Sequence, residues 1–387
     1  MGKGANRLDA ITQQNELLKE QNELLREQIE LLKNSSAQPK NDGREIFVEN
    51  IDRDEMRNGF LVTSHRKKLW NVQIGLINEF ARICQKHNLR WFPVGGTLLG
   101  TVRHKGFVPW DDDVDLAMFR PDYEKLKRVI AEELSGNFSV YLWNNFKLES
   151  DELIGIKSDP TLKTIPAEQE KKYPGWQPFF PLMRLIDERT TMLGPDDRQG
   201  IFSGIWIDIL CFDPVPPFVN RQQKIIFQTA KMLLVSTIYP NFIRKAIEDG
   251  KELGVSHEEL QKFLNLPYKM RGAQYEKFLL RNFFESERVG YIKDHIYTSH
   301  KSYETASFKK VISMPFEKIE LPVPVGYDEM LTADYGDWHE MKVYFSHTVD
   351  NSADISYVEY FQKAAKKTLV TDENNKQSIL IEEKNNS

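Results

Sequence analysis

Four aspartates fall within residues 111–115, at Asp111, Asp112, Asp113 and Asp115, and an apolar run, Leu116-Ala-Met-Phe119, follows them. An Asp-x-Asp pair entering a strand-forming run places both carboxylates on one face, with Val114 and Leu116 on the other. Like charges held that close repel unless a cation lies between them. Hard carboxylate oxygens suit Mg²⁺ or Mn²⁺, which take a few protein carboxylates and complete their shell with water and substrate phosphate oxygens. Asp113 and Asp115 are therefore candidate metal ligands. Asp111 and Asp112 read either as part of that site or as a solvated acidic turn after Pro109-Trp110. A third carboxylate is expected from Asp208, the lone charge in the apolar run 204–212, where it would be costly unless paired or metal-bound. Its other reading is an Asp at a strand end, bonded to neighbouring backbone.

The elements that must position these groups can be read outward from them. Residues 90–94 (RWFPV) form a short strand that ends at Gly95-Gly96, a pair that permits a tight turn and close approach of backbone to a ligand. Thr97 stands where an N-cap would precede a short helix, LLGTVRHK. Strand, glycine turn and helix start together make a natural phosphate cradle. Arg103, His104 and Lys105 then lie between that cradle and the aspartates; Arg103 suits bidentate phosphate contact or an ion pair with the acidic run. His104 could donate to a phosphate or simply pack. Helical spacing of Leu69, Val72, Leu76, Phe80 and Ile83 predicts a helix over 65–88 beneath the strand. Further strands are expected over 138–143, 179–187 and 205–212, with a helix opening at Pro121 and running to 134. Arg184 reads either as a phosphate contact or as a surface cation.

A glycine pair, an Asp-x-Asp strand and a lone Asp on a later strand resemble the polymerase-β-type nucleotidyltransferase superfamily. The longer run GGTLLGTVRHKGFVPWDDDVDLAM closely resembles the LicD family, which includes bacterial phosphocholine transferases and, more distantly, fukutin and fukutin-related protein. GIWIDILCFDPVP, PLMRLIDERT and MPFEKIELPVPVGYDEMLTADYGDW follow in the family's order, so the resemblance spans residues 69–338. It implies transfer of a phospho-alcohol from a CDP-linked donor, such as CDP-choline, to a hydroxyl of a cell-surface glycan or lipid-linked glycan. Carried over by position, Gly95, Gly96 and Thr97 would hold donor phosphates, Asp113 and Asp115 the metal, and Asp208 would be the third carboxylate. The cysteine cluster that binds zinc in fukutin-related protein has no counterpart here, since Cys84 and Cys211 are the only cysteines; no structural zinc is expected. Tyr335-Gly-Asp-Trp338 looks like a family motif that either lines the acceptor pocket or packs.

Composition narrows the partners. A chain of 387 residues with a formal charge of −5 lacks the basic footprint of a general nucleic-acid binder. Two cysteines without a spacing pattern indicate a reducing compartment or indifference to redox. The start MGKGANRLDA lacks the apolar core of a signal peptide, and no run reaches the length of a transmembrane helix. The Met-Gly start also fails the myristoylation pattern, because position 6 is Asn. The expectation is a cytoplasmic protein that at most touches the inner face of the membrane.

The near-identical heptads NELLKEQ and NELLREQ, followed by IELLKN, pair leucines at 17–18, 24–25 and 31–32. They predict a coiled-coil helix over 8–33 with polar a positions, self-associating as a homo-oligomer; a solitary amphipathic helix is the alternative. A linker over 34–60, a catalytic core over 61–215, a helical subdomain over 216–290, a closing part over 291–367 and a disordered tail over 368–387 complete the expected organisation. The charged, proline-interrupted segment 149–175 is expected to be a loop that covers the site. The fold class is α/β (α+β), a nucleotidyltransferase-like mixed sheet flanked by helices. Two other readings stay open: a metal-dependent glycosyltransferase using a nucleotide-sugar, and a coiled-coil interaction protein with an inactive transferase domain.

Overall fold

The computed structural model describes residues 45–134, 136–142, 162–163, 182–193, 204–218, 220–266, 268–297, 301–342, 350–353, 367–371 and 377–381. The coiled coil expected over 8–33, the start of the linker and most of segment 149–175 lie outside them.

A small hairpin, β1 (Glu55–Arg57) and β2 (Phe60–Val62), leads into α1 (Ser64–Lys86), which Thr63 caps by accepting from the Arg66 N–H at 3.2 Å. The buried stripe Leu69, Trp70, Val72, Leu76, Phe80 and Ile83 has the spacing of a helix lying on a sheet. Next come β3 (Phe92–Pro93), the short helix α2 (Gly95–Leu99), a π-helical turn (Gly100–His104), β4 (Asp115–Phe119) and α3 (Arg120–Glu133). The chain continues with β5 (Phe138–Leu142), β6 (Leu162–Lys163), β7 (Leu182–Asp187), β8 (Thr191–Leu193), which stands apart from the main sheet, and β9 (Ile205–Pro214). Helices α4 (Arg221–Ile238), α5 (Pro240–Glu248), α6 (His257–Leu264) and α7 (Tyr268–Arg281) follow the proline-rich break. The chain then returns to β10 (Arg288–Gly290), α8 (Asp294–Tyr297), β11 (Tyr303–Glu304), the hairpin β12 (Val311–Phe316) and β13 (Ile319–Pro324), and α9 (Tyr327–Tyr335). No helix among the described residues is long and apolar enough to cross a membrane.

The architecture is a mixed α+β sheet, as the sequence implies. β9 is its axis. One edge of β9 pairs antiparallel with β7, which continues to β5 and β6. The other edge is shared: β4 pairs parallel over Asp208–Phe212, and β10, with β11 beyond it, takes over antiparallel at Asp213 and Pro214. Strand alternation separates two cores. Ile207, Ile209 and Cys211 of β9, with Leu116 and Met118 of β4, join the core beneath α1 and α3. Ala117 and Phe212 join a second core with Phe92, Phe308, Leu331 and Trp338 on the opposite face.

Two expectations are corrected. The tail was expected to be disordered from 368, but β15 (Lys367–Thr371) and β16 (Gln377–Ile381) pair antiparallel, after β14 (Asp350–Ser352). Their cores, Thr-Leu-Val and Ile-Leu-Ile, carry enough strand preference to outweigh the polar residues around them. Thr97 is not an N-cap either: α2 starts at Gly95 from Val94, which makes no side-chain cap bond.

Candidate active site

Strand register assembles the charged row. Asp115 of β4 stands beside Asp208 of β9, and Asp208 stands beside Arg184 of β7. Backbone bonds hold the row on both sides: Asp208 N–H donates to the Val114 carbonyl at 2.9 Å, and Val94 N–H to the Asp115 carbonyl at 3.1 Å. Asp113 lies just before β4 rather than within it, yet its charge reaches both Asp115 and Asp208 and helps raise the pKa of each. Burial is the larger cause in both, and the like charges add to it. Arg184 is the counterweight. It is buried, its Nε donates to Asp208 Oδ1 at 2.6 Å, and its guanidinium lies 4.4 Å from the Trp206 ring centroid. The reading of Arg184 as a surface cation is therefore corrected: β7 runs through the middle of the sheet, and the residue opposite Asp208 is buried beside it at the cavity rather than on the outer surface.

The acidic turn ahead of β4 is fixed from below. Arg66 and Trp70 of α1 both donate to the Asp111 carbonyl, at 2.9 and 3.0 Å, and Gln73 donates to the Asp112 carbonyl at 2.8 Å. With its backbone pinned, the Asp111 side chain turns inward beside Gly96, where a Cβ would overlap the carboxylate. Gly95 adopts φ +54°, a conformation that favours glycine. The glycine pair thus makes room for carboxylates. Thr97, inside α2, accepts from the Asp115 N–H at 2.9 Å and so sets the entry of β4.

The basic step goes elsewhere. The π-helical turn carries Arg103 away from the aspartates; its guanidinium donates to the Trp338 carbonyl at 2.8 Å and to His104 Nε2 at 2.9 Å. His104 sits edge-on to Trp110, and burial, with Arg103 and Arg57 nearby, lowers its pKa to about 4. Lys105 is exposed, in a left-handed conformation with φ 57°. The structure does not bring these three residues to the carboxylate row: none of them lines the cavity, and Arg103 is held instead by the Trp338 and Glu340 carbonyls beyond α9.

In their place the structure supplies groups that the local sequence did not point to. A cavity of about 280 Å³ opens over the row, and its far wall carries Tyr291, Lys293, Asp294, Lys301, Tyr303 and Asp334. Tyr303 O–H donates to Asp334 at 2.8 Å, and Lys301 Nζ lies 3.7 Å from the same carboxylate. Burial lowers Lys293 to about 8 despite Asp294 and Asp208 nearby. From the motif at 335–338, Tyr335 senses Asp111, Asp113 and Asp115, whereas Trp338 packs in the second core and donates to Asp328 at 3.1 Å. Residues 291–293 follow β10 in a turn, where Ile292 enters the first core and Tyr291 the second, so no strand alternation in the sequence marked them.

Asp115 and Asp208 line the cavity beside Arg184, while Asp111 and Asp113 lie close enough to act on Asp115 and on each other. Burial first, then Asp113 and Asp115, push Asp111 up to about 9. Among the described residues no group of three or more His, Cys, Asp or Glu side chains is placed to hold a metal ion. The proton that Asp111 holds has a measurable consequence. Its folded pKa exceeds the ordinary 3.8, so the folded state binds the extra proton between pH 3.8 and about 9, and its contribution to stability fades as pH rises through that window. Asp111→Asn is expected to raise the melting temperature of metal-free protein at pH 8 and leave it unchanged below pH 3.8. A melting profile parallel to that of the unaltered chain would contradict this.

Comparison with known proteins gives concordant results. The family profile described as LicD/FKTN/FKRP, nucleotidyltransferase domain, matches residues 88–159, which contain Gly95, Gly96 and all four clustered aspartates. The lipopolysaccharide cholinephosphotransferase LicD of Haemophilus influenzae is 25% identical over 272 residues, 70% of this chain and 89% of that protein. An uncharacterized protein of Rickettsia prowazekii is 33% identical over 57 residues, 15% of this chain and 21% of its own length. An uncharacterized protein of Caenorhabditis elegans is 33% identical over 85 residues, 20% of this chain and 22% of its own length.

Proposed function

The chain belongs to the LicD family, and from that premise we propose that it transfers a phospho-alcohol, phosphocholine in the first instance, from a CDP-linked donor to a hydroxyl of a cell-surface glycan or glycolipid precursor. The observation that carries this reading is the pairing of Asp115 with Asp208 on adjacent parallel strands, with Asp113 beside them, on the floor of a cavity. Asp113 and Asp115, with Asp208 as the third carboxylate, would hold Mg²⁺ or Mn²⁺; bound there, the ion would neutralise the donor diphosphate and the departing CMP. Asp208 would orient the acceptor hydroxyl and take its proton, aided by the raised pKa that burial gives it. The acceptor oxygen then bonds to the phosphorus bearing the alcohol, the bond from that phosphorus to CMP breaks, and CMP leaves with the electron pair. Arg184 would keep the Asp208 carboxylate aimed at the cavity through its two bonds of 2.6 and 3.2 Å.

Gly95, Gly96 and Thr97 remain proposed neighbours of the donor phosphates, now through the carboxylate geometry they permit. The proposal includes self-association through a coiled coil over 8–33 and, at most, peripheral contact with the inner face of the membrane. Purified full-length chain with Mg²⁺, CDP-choline and a glycan acceptor is expected to release CMP and yield a phosphodiester visible by phosphorus NMR. A glycosidic product formed from a UDP-sugar would hand the site to the glycosyltransferase reading instead.

A further inference from the structure

Large apolar side chains stay in water where α4 and α7 meet. Phe218, just ahead of α4, packs on Phe227 of α4 and on Phe284 beyond α7, with ring centroids 5.3 and 5.6 Å apart. The start of α4 and the end of α7 are thereby joined. A small apolar groove lies at this joint, lined by Ile226, Phe227 and Ala230 on one side and Leu279 and Phe283 on the other. Ile225 and Leu280, each next to a lining residue, are 54% and 39% exposed, and Phe283 is 45% exposed. Apolar surface gathered in this way is unfavourable in water and marks a face that something covers.

The charges beside the groove indicate what covers it. Arg221 and Lys224 open α4, a helix without an acidic residue, and Lys277 and Arg281 stand in the last turns of α7. Lys277 and Arg281 are four residues apart, so two like charges adjoin on one helix face. Arg221 and Lys224 lie at the positive end of their helix dipole. Each placement is unfavourable alone and is relieved by an anionic surface. None of the four forms an ion pair among the described residues. The acid within this part of α7, Glu276, is turned inward onto Lys127 at 2.6 Å, and the exposed acids that follow are Glu285 and Glu287. Lysine and arginine beside exposed Ile, Leu and Phe suit a surface that rests among anionic lipid headgroups.

We propose that this corner of the helical subdomain docks on an anionic lipid bilayer. Ile225, Leu280 and Phe283 enter the boundary between headgroups and acyl chains, while Arg221, Lys224, Lys277 and Arg281 meet the lipid phosphates. The place suits the function proposed above, in which the acceptor can be a glycolipid precursor. Phe212 and Lys293 line the cavity over the carboxylate row, and Asp213, Pro214 and Ile292, their neighbours in the chain, line the groove. A bilayer at the groove would therefore hold a lipid-linked acceptor beside the same end of β9 that borders the cavity. Docking deepens that reading without depending on it: vesicle binding needs no turnover, so either can fail alone.

The test is co-sedimentation of the full chain with vesicles of phosphatidylglycerol and phosphatidylcholine, or of phosphatidylcholine alone. The anionic vesicles are expected to bind on the order of tenfold more tightly, an advantage that shrinks as salt is added. Lys224→Gln with Arg281→Gln should weaken that binding on the order of twentyfold, about fivefold for each cation removed. Ile225→Ser should weaken it about tenfold through lost apolar burial. All three side chains are exposed, so the melting temperatures should match that of the unaltered chain. Equal binding to both kinds of vesicle would overturn the proposal. Binding that survives all three changes would place the contact elsewhere in the chain and overturn it too. A changed oligomeric state of Ile225→Ser at sedimentation equilibrium, with vesicle binding retained, would assign the patch to a second copy instead.

Discussion

Asp115→Asn is expected to reduce turnover by on the order of a thousandfold or more while leaving the fold intact. Asp115 is the carboxylate on which the site converges: it is paired in register with Asp208, its N–H is held by Thr97, and its carbonyl is bonded by Val94. None of those backbone contacts depends on the carboxylate, so the amide should fold into the same place. Its pKa stands well above the ordinary carboxylate value because burial, Asp113 and Asp208 all disfavour the charge. Removing that crowding should raise the melting temperature of the metal-free protein. A cation binding here must displace protons, so Mg²⁺ binding by the unaltered chain should release protons near neutral pH, and by Asp115→Asn should release fewer. Asp113→Ala should share the catalytic loss. Retained turnover in either variant would remove both from the metal site.

The largest expected loss of stability comes from a residue remote from the chemistry. Lys127 is buried on α3, where its Nζ meets Glu276 of α7 at 2.6 Å and Glu124 at 3.2 Å. Glu124 also accepts from Arg120 at 2.9 Å, and Arg120 is bonded to Asp213 of β9 through Nε at 2.8 Å. Replacing Lys127 with Met leaves two buried carboxylates short of a cation and is expected to cost about 3–5 kcal/mol. Lys127→Met with Glu276→Gln should recover part of that loss, because the second change removes one stranded charge. Urea midpoints of the three proteins measure this directly. A loss below about 1 kcal/mol for Lys127→Met would mean that the network exchanges its partners for water.

The part of this molecule that could be read from sequence is the part governed by local alternation. Asp115 followed by Leu116, Ala117 and Met118 declared its face, and the lone charge at Asp208 declared that its strand meets the same cavity. The helices announced themselves by spacing: the expected 65–88 is observed as Ser64–Lys86. What escaped notice depends on pairing between distant strands. Nothing near Arg184 reveals that antiparallel register sets it opposite Asp208. Nothing near Lys127 reveals Glu276, because an isolated helix would show that lysine to water. Arg103 was misplaced for a different reason. Charge adjacent in sequence to the aspartates is adjacent in space only if the intervening turn aims it there, and Arg103 is held instead by the Trp338 and Glu340 carbonyls.

The shared edge of β9 has a consequence for the order in which the site comes into being. Synthesis delivers β4 and β9 early, so a nascent chain that ends before β10 already holds Asp113, Asp115 and Asp208. Tyr291, Lys293 and Asp334 do not yet exist at that point, and the edge that β10 will take is still open. Such an intermediate carries the negative floor of the cavity without its opposing wall. The cavity is therefore complete only when the last third of the chain has emerged and closed onto β9, and the donor binding proposed above would have to wait for that step.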